Sequence, residues 1–171
     1  VKVRPRLGKT KWLVNKTKLA RTLIVTGSVP ATKYGHQAVG LAPTPLLELR
    51  RDMSCAMAVG GTHNCTTTVL ALTLGPANDP EISYRIDSIQ QWFLFWNKSL
   101  RLHDGVRDVW PKITNELADS LAPWSQVTSL ISNTIMTLLQ IGIFPLRPDF
   151  WICSEPGGKL ISYHFPFDGE S

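Results

Sequence analysis

Apolar positions recur at helical spacing along most of the chain. In "APTPLLELRRDMSCAMAVGG", Leu46, Leu49, Met53, Ala56 and Met57 repeat at three and four, while Arg50 and Arg51 fall toward the other side. Thr44 is placed to cap this helix, Pro45 suits its first position, and Gly60-Gly61 closes it. In "NDPEISYRIDSIQQWFLFWNKSL", Asp79 reads as the N-cap and Pro80 as the first helical residue. Ile82, Ile86, Ile89, Phe93 and Trp96 then predict one long inward stripe. "VRDVWPKITNELADSL" predicts a helix broken at, or begun near, Pro111. "PWSQVTSLISNTIMTLLQIG" predicts another, with Val127, Ile131, Ile135, Leu138 and Leu139 inward and Gly142 at its C-terminal end.

The first forty residues are less regular. Lys9 to Leu23 can be helical, with Trp12, Leu13, Leu19 and Leu23 only loosely on one face, and Gly27 and Pro30 break it. "ATKYGHQAVG" allows two helical turns before Gly40. "CTTTVLALTLG" suits helix or strand and is taken as a helix ended by Gly75-Pro76. Near the end the period shifts to two. "DFWICSEPGGKLISYHF" alternates on both sides of Pro156-Gly157-Gly158 and predicts a β-hairpin. The expected fold is mainly α, a small helical bundle with a C-terminal β-hairpin. The boundaries are a basic segment over 1–25, a helical domain over 26–142, the hairpin over 143–165, and a flexible tail or the start of a further domain over 166–171.

Composition narrows the function classes. The 171 residues are 43% hydrophobic and 18% charged, which fits a packed core. Charge is divided unevenly: residues 1–51 carry 11 Lys or Arg against one acid, Glu48, and the rest carry 7 against 12. No apolar run approaches the ~20 residues that span a bilayer, so no membrane is expected. Cys55, Cys65 and Cys153 are too few for a disulfide framework and read as reduced thiols in an intracellular protein, nuclear or cytoplasmic. The sequons at Asn15, Asn64 and Asn97 are read as incidental. The chain opens without methionine, and a fragment of a longer polypeptide is expected.

Reactive constellations are weak. Cys55, His63, Cys65, Cys153 and His164 lack the paired spacing of structural zinc, and Cys55 reads as a small core residue. There is no Gly-x-Ser-x-Gly elbow, no Walker loop and no clustered catalytic carboxylates. No catalytic residue, metal or cofactor is assigned. The six tryptophans read as core or interface residues.

The basic stretch is the stronger signal. Phosphates ask only for positive charge and reach, and a tryptophan among lysines can stack on a base. The candidate nucleic-acid-binding set is Lys9, Lys11, Trp12, Lys16, Lys18, Arg21, Lys33, Arg50 and Arg51. A solvated basic tail, or an acidic protein or lipid surface, are the competing readings.

The order of parts also resembles a known family. "TGSVPATKYGHQAVGLAPTPLLELRR" holds Pro30, Tyr34, Gly35, Gly40, Leu41, Pro43, Leu46, Leu49 and Arg50. "PWSQVTSLISNTIMTLLQIGIFPLRPDFW" holds Pro123, Trp124, Ile131, Ser132, Pro145, Pro148 and Trp151. Together they resemble polyproteins of non-LTR retroelements of the kind abundant in protist genomes, over the region downstream of the reverse transcriptase palm. The resemblance implies a helical thumb or connector that grips a template–primer duplex by its backbone. It also implies that the polymerase carboxylates lie in the palm, in an Asp-Asp turn that this chain lacks. The expected partners are a DNA or RNA backbone and the rest of a longer polyprotein. Two alternatives stand: a structural RNA-binding subunit of an organellar ribonucleoprotein, and a small enzyme with a pocket near Tyr34, His36 and His63.

Overall fold

A computed structural model describes residues 4–14, 16–17, 19–57, 65–154 and 160–164. The chain is mainly α, with a small antiparallel sheet near the C-terminus. It forms two compact units, Val1–Gln37 with Leu41–Asp87, and Ala38–Gly40 with Ser88–Ser171. The division differs from the expected boundaries. Residues 1–25 are no separate basic segment, because Leu7, Val14 and Ile24 are built into the core of the first unit. The break between units falls inside a helix, between Asp87 and Ser88.

The first unit starts with α1 (Arg4–Val14) and α2 (Ala20–Leu23), which runs into a π-helical turn (Ile24–Ser28) and α3 (Val29–Lys33). After α4 (His36–Val39) come α5 (Pro43–Met57), α6 (Thr66–Leu74) and the opening half of α7 (Pro80–Lys98). α1 packs on α5, and α5 on α6. The stripe expected on α5 is inward: Leu46, Leu49, Met53, Ala56 and Met57 are all buried. The single helix expected over Lys9 to Leu23 is instead two, joined by a turn in which the Lys16 and Thr17 amides donate to the Leu13 carbonyl. Gly27 and Pro30 do not break the chain there. A π-turn's wider ring takes up one extra residue directly ahead of Pro30, whose ring and missing N–H disfavour ordinary winding over the preceding turn. Cys55, expected in the core, is exposed.

The second unit holds the closing half of α7, α8 (His103–Asp119), α9 (Leu130–Gln140) and strands β1 (Ile143–Arg147), β2 (Phe150–Ser154) and β3 (Leu160–His164). Trp92, Trp110, Ile135 and Leu138 are fully enclosed in its core. Asp79 caps α7 as expected, its Oδ1 accepting from the Glu81 amide at 2.9 Å. The inward stripe of α7 is different, however. Ile82 and Ile86 are 42% and 45% exposed, while Tyr84, Ser88, Trp92 and Trp96 are buried. α8 runs unbroken through Pro111. Both Pro111 and Arg107, whose carbonyl loses its partner, lie on the exposed side, so water can take the lost bond.

A capping box opens α9: Ser129 Oγ accepts from the Ser132 amide, and Ser132 Oγ accepts from the Ser129 amide. Gly142, with φ of 77°, turns the chain out of α9. The hairpin of β2 and β3 is present, with Trp151 opposite Tyr163 and Ile152 opposite Ser162, although its glycine turn lies outside the described residues. A third strand, β1, pairs antiparallel with β2 on its other side. Pro145 sits on this outer strand beside an irregularity in register, the place where a strand tolerates proline.

Two tryptophans tie helix to sheet. Trp110 Nε1 donates to the Pro145 carbonyl at 2.8 Å and Trp92 Nε1 to the Pro148 carbonyl at 3.1 Å. His103 lies flat on Trp96, ring centroids 3.7 Å apart, and its Nε2 donates to the Trp96 carbonyl at 2.8 Å.

Candidate nucleic-acid interface

The outward face of α1 carries the first candidates. Leu7, Thr10 and Val14 turn its other side into the core of the first unit. Arg6, Lys9, Lys11 and Trp12 are therefore left in solvent. Lys9 and Trp12, three residues apart, share one face. Lys11 falls about 160° from Lys9 around the axis, bordering a small cleft with Asp52 and Cys55. Lys16, just past the helix, is exposed. Lys9, Lys11 and Lys16 make no ion pair with an acid among the described residues. Trp12 is 65% exposed, although an indole left in water forgoes the burial that most tryptophans obtain. Lys18 lies outside the described residues, and Arg21 is half-buried.

Three further candidates lie on α3 and α5. Lys33 Nζ pairs with Asp87 Oδ2 at 2.7 Å. Arg51 is exposed on α5. Arg50 is a correction: the helical spacing places it outward, yet it is buried. Its Nε and Nη2 grip Asp79 Oδ1 and Oδ2 at 2.8 and 2.7 Å, its Nη1 meets Glu81 Oε2 at 2.6 Å, and Nη2 also donates to Thr67 Oγ1. Burial works against this charge, but the Asp79 hydrogen bonds and the charges of Asp79 and Glu81 outweigh it and raise the guanidinium's pKa. A cation so engaged cannot also hold a phosphate.

Of the pocket expected near Tyr34, His36 and His63, the described residues show a part: Tyr34 borders a groove that His36 does not line. His36 is buried against Tyr84, ring centroids 4.5 Å apart, with its Nδ1 donating to the Lys33 carbonyl. Tyr34 stands 94% exposed, and His63 lies outside the described residues. Burial raises the pKa of Tyr84.

Cys65, expected to be a reduced thiol and weighed as a metal ligand, is exposed. It occupies the residue before α6, where hydrogen bonds from the Thr68 amide and hydroxyl and the Thr67 amide, with the Arg50 charge nearby, lower its thiol pKa. The sequence signal is the β-branched run that opens a helix directly after a cysteine. Among the described residues no three His, Cys, Asp or Glu side chains converge in a way that would hold a metal ion. No helix among them is long and apolar enough to cross a membrane.

No protein-family model, curated protein or solved structure matches the chain.

Proposed function

We propose that the chain is a noncatalytic, nucleic-acid-binding helical part of a retroelement-type reverse transcriptase polyprotein, acting as a thumb or connector. It holds the sugar–phosphate backbone of a template–primer through the cationic surface of the first unit. The observation that carries this reading is the set of exposed cations on α1 and the turn after it. Lys9, Lys11 and Lys16 stand in solvent without acidic partners among the described residues, and Trp12 is exposed beside Lys9. Such a surface gains counterion release from any phosphate chain and stacking from any base, with little regard for sequence.

The test is binding to a labelled duplex across a salt series. Changing Lys9, Lys11, Lys16 and Lys18 to Gln weakens binding to every sequence alike. It also flattens the salt dependence by about 0.9 in log–log slope for each phosphate that the variant no longer neutralises. Unchanged affinity and slope would sink the reading.

A further inference from the structure

The first unit carries a groove of about 660 Å³ that lies apart from the outward side of α1. Its apolar lining is Val25 of the π-helical turn with Val29 and Pro30 of α3. Tyr34 stands at its rim, 94% exposed. Gly35, in the left-handed region with φ of 77°, makes the turn there and has no neighbouring atom within 4 Å of where a side chain would begin. The volume is in the range of small-molecule sites, and an aromatic face left open to water at such a place is ready to stack.

The polar groups of the groove are few and complementary in kind. Lys33 and Asp87 are joined at 2.7 Å and are about three-quarters buried, which fixes a donor directly beside an acceptor. Asn78 Nδ2 is spent on the Leu74 carbonyl at 2.8 Å, so its Oδ1 is an acceptor that no described residue uses. The groove thus offers two acceptors, the Asp87 and Asn78 oxygens, and an ammonium donor. A planar ring bearing an amine next to a ring nitrogen or carbonyl matches that set. A ring with a carbonyl in place of the amine, such as uracil, keeps only its imide N–H as a donor and leaves one of the two acceptors unmatched.

We infer that this groove takes one unstacked nucleobase of a single-stranded nucleic acid, and prefers an amine-bearing base such as cytosine to uracil. The base stacks on Tyr34 and Pro30, its exocyclic amine donates one hydrogen to Asp87 and the other to Asn78, and Lys33 donates to the adjoining acceptor. A paired base within a duplex cannot enter, because both its faces are covered and its hydrogen-bonding edge is occupied. The inference rests on the proposed function and adds a single-strand subsite to its duplex surface.

The experiment compares affinities of the whole chain for an oligo(C) strand, an oligo(U) strand of equal length, and a duplex. Tyr34→Ala is expected to weaken oligo(C) binding roughly tenfold and leave the duplex unchanged, while Tyr34→Phe retains binding. The exposed position of Tyr34 makes unfolding an unsuitable explanation, and circular dichroism checks it. Asp87→Asn is expected to reduce the preference for oligo(C) over oligo(U). Equal affinity of Tyr34→Ala and the parent chain for oligo(C), or an equal loss on strand and duplex, overturns the groove alone. Failure of the parent chain to bind any of the three overturns the proposed function and the groove together.

Discussion

Asp79 serves Arg50 and the start of α7 with the same carboxylate: Oδ1 accepts both from Arg50 Nε and from the Glu81 amide, and Oδ2 takes Arg50 Nη2. Removing it deprives a buried guanidinium of its main partner and a helix of its cap at once. Asp79→Ala is expected to destabilise the protein by about 3–5 kcal/mol, as seen when one member of a buried pair is deleted. Urea denaturation followed by circular dichroism measures it. Replacing Arg51, exposed one residue later on α5, is expected to change stability by less than about 0.5 kcal/mol.

Gly40 has φ of 68°, and a side chain there would begin 2.7 Å from both Asn133 Oδ1 and Trp124 Cζ3. Gly40→Ala therefore meets steric overlap as well as backbone strain. Gly35→Ala meets only the strain, about 1–2 kcal/mol. Thermal melts of the two variants are expected to place Gly40→Ala clearly lower, and equal melting points would contradict the packing around Gly40.

Trp110→Phe removes the donor to the Pro145 carbonyl and leaves a void in the second unit's core. The expected loss is about 2–4 kcal/mol, combining an orphaned carbonyl with poorer packing. Near-ultraviolet circular dichroism should lose intensity in the same transition, because Trp110 lies 4.9 Å from Trp92.

The fold favours the thiolate of Cys65, so its alkylation by iodoacetamide is expected to reach half-maximal rate at a lower pH than that of a small free thiol. The contribution to stability has the matching sign. It is complete above the ordinary thiol pKa and is lost as pH falls through the lowered one. Thr68→Ala removes the hydroxyl donor and should move the profile back upward, and a profile indistinguishable from that of the free thiol would contradict the geometry at α6.

Much of the helical layout is legible in the sequence because its signals are local. The α5 stripe, the Asp79-Pro80 start and the Gly142 exit each need only neighbours within a turn or two. Arg50 escapes such reading because its partner lies 29 residues away and no spacing within α5 announces it. The α7 stripe is ambiguous because that helix carries apolar residues on more than one face. Ile82-Ile86-Ile89-Phe93 and Tyr84-Ser88-Trp92-Trp96 both satisfy helical spacing, and the fold buries the second, serine included. β1 is hidden because Pro145 argues against a strand until a tryptophan from α8 uses its carbonyl. For the candidate interface, the charge run points to Lys9, Lys11, Trp12 and Lys16, each of which is exposed. It cannot tell that Lys33 and Arg50 meet acids from α7 and the residue before it.

The π-helical turn between α2 and α3 makes chain length negotiable there. One residue fewer between Leu23 and Val29 would restore ordinary winding and leave Arg21 and Lys33 facing nearly as they do now, because the wider ring already absorbs the extra residue. A deletion there would remove the bulge and spare the directions of the flanking cations.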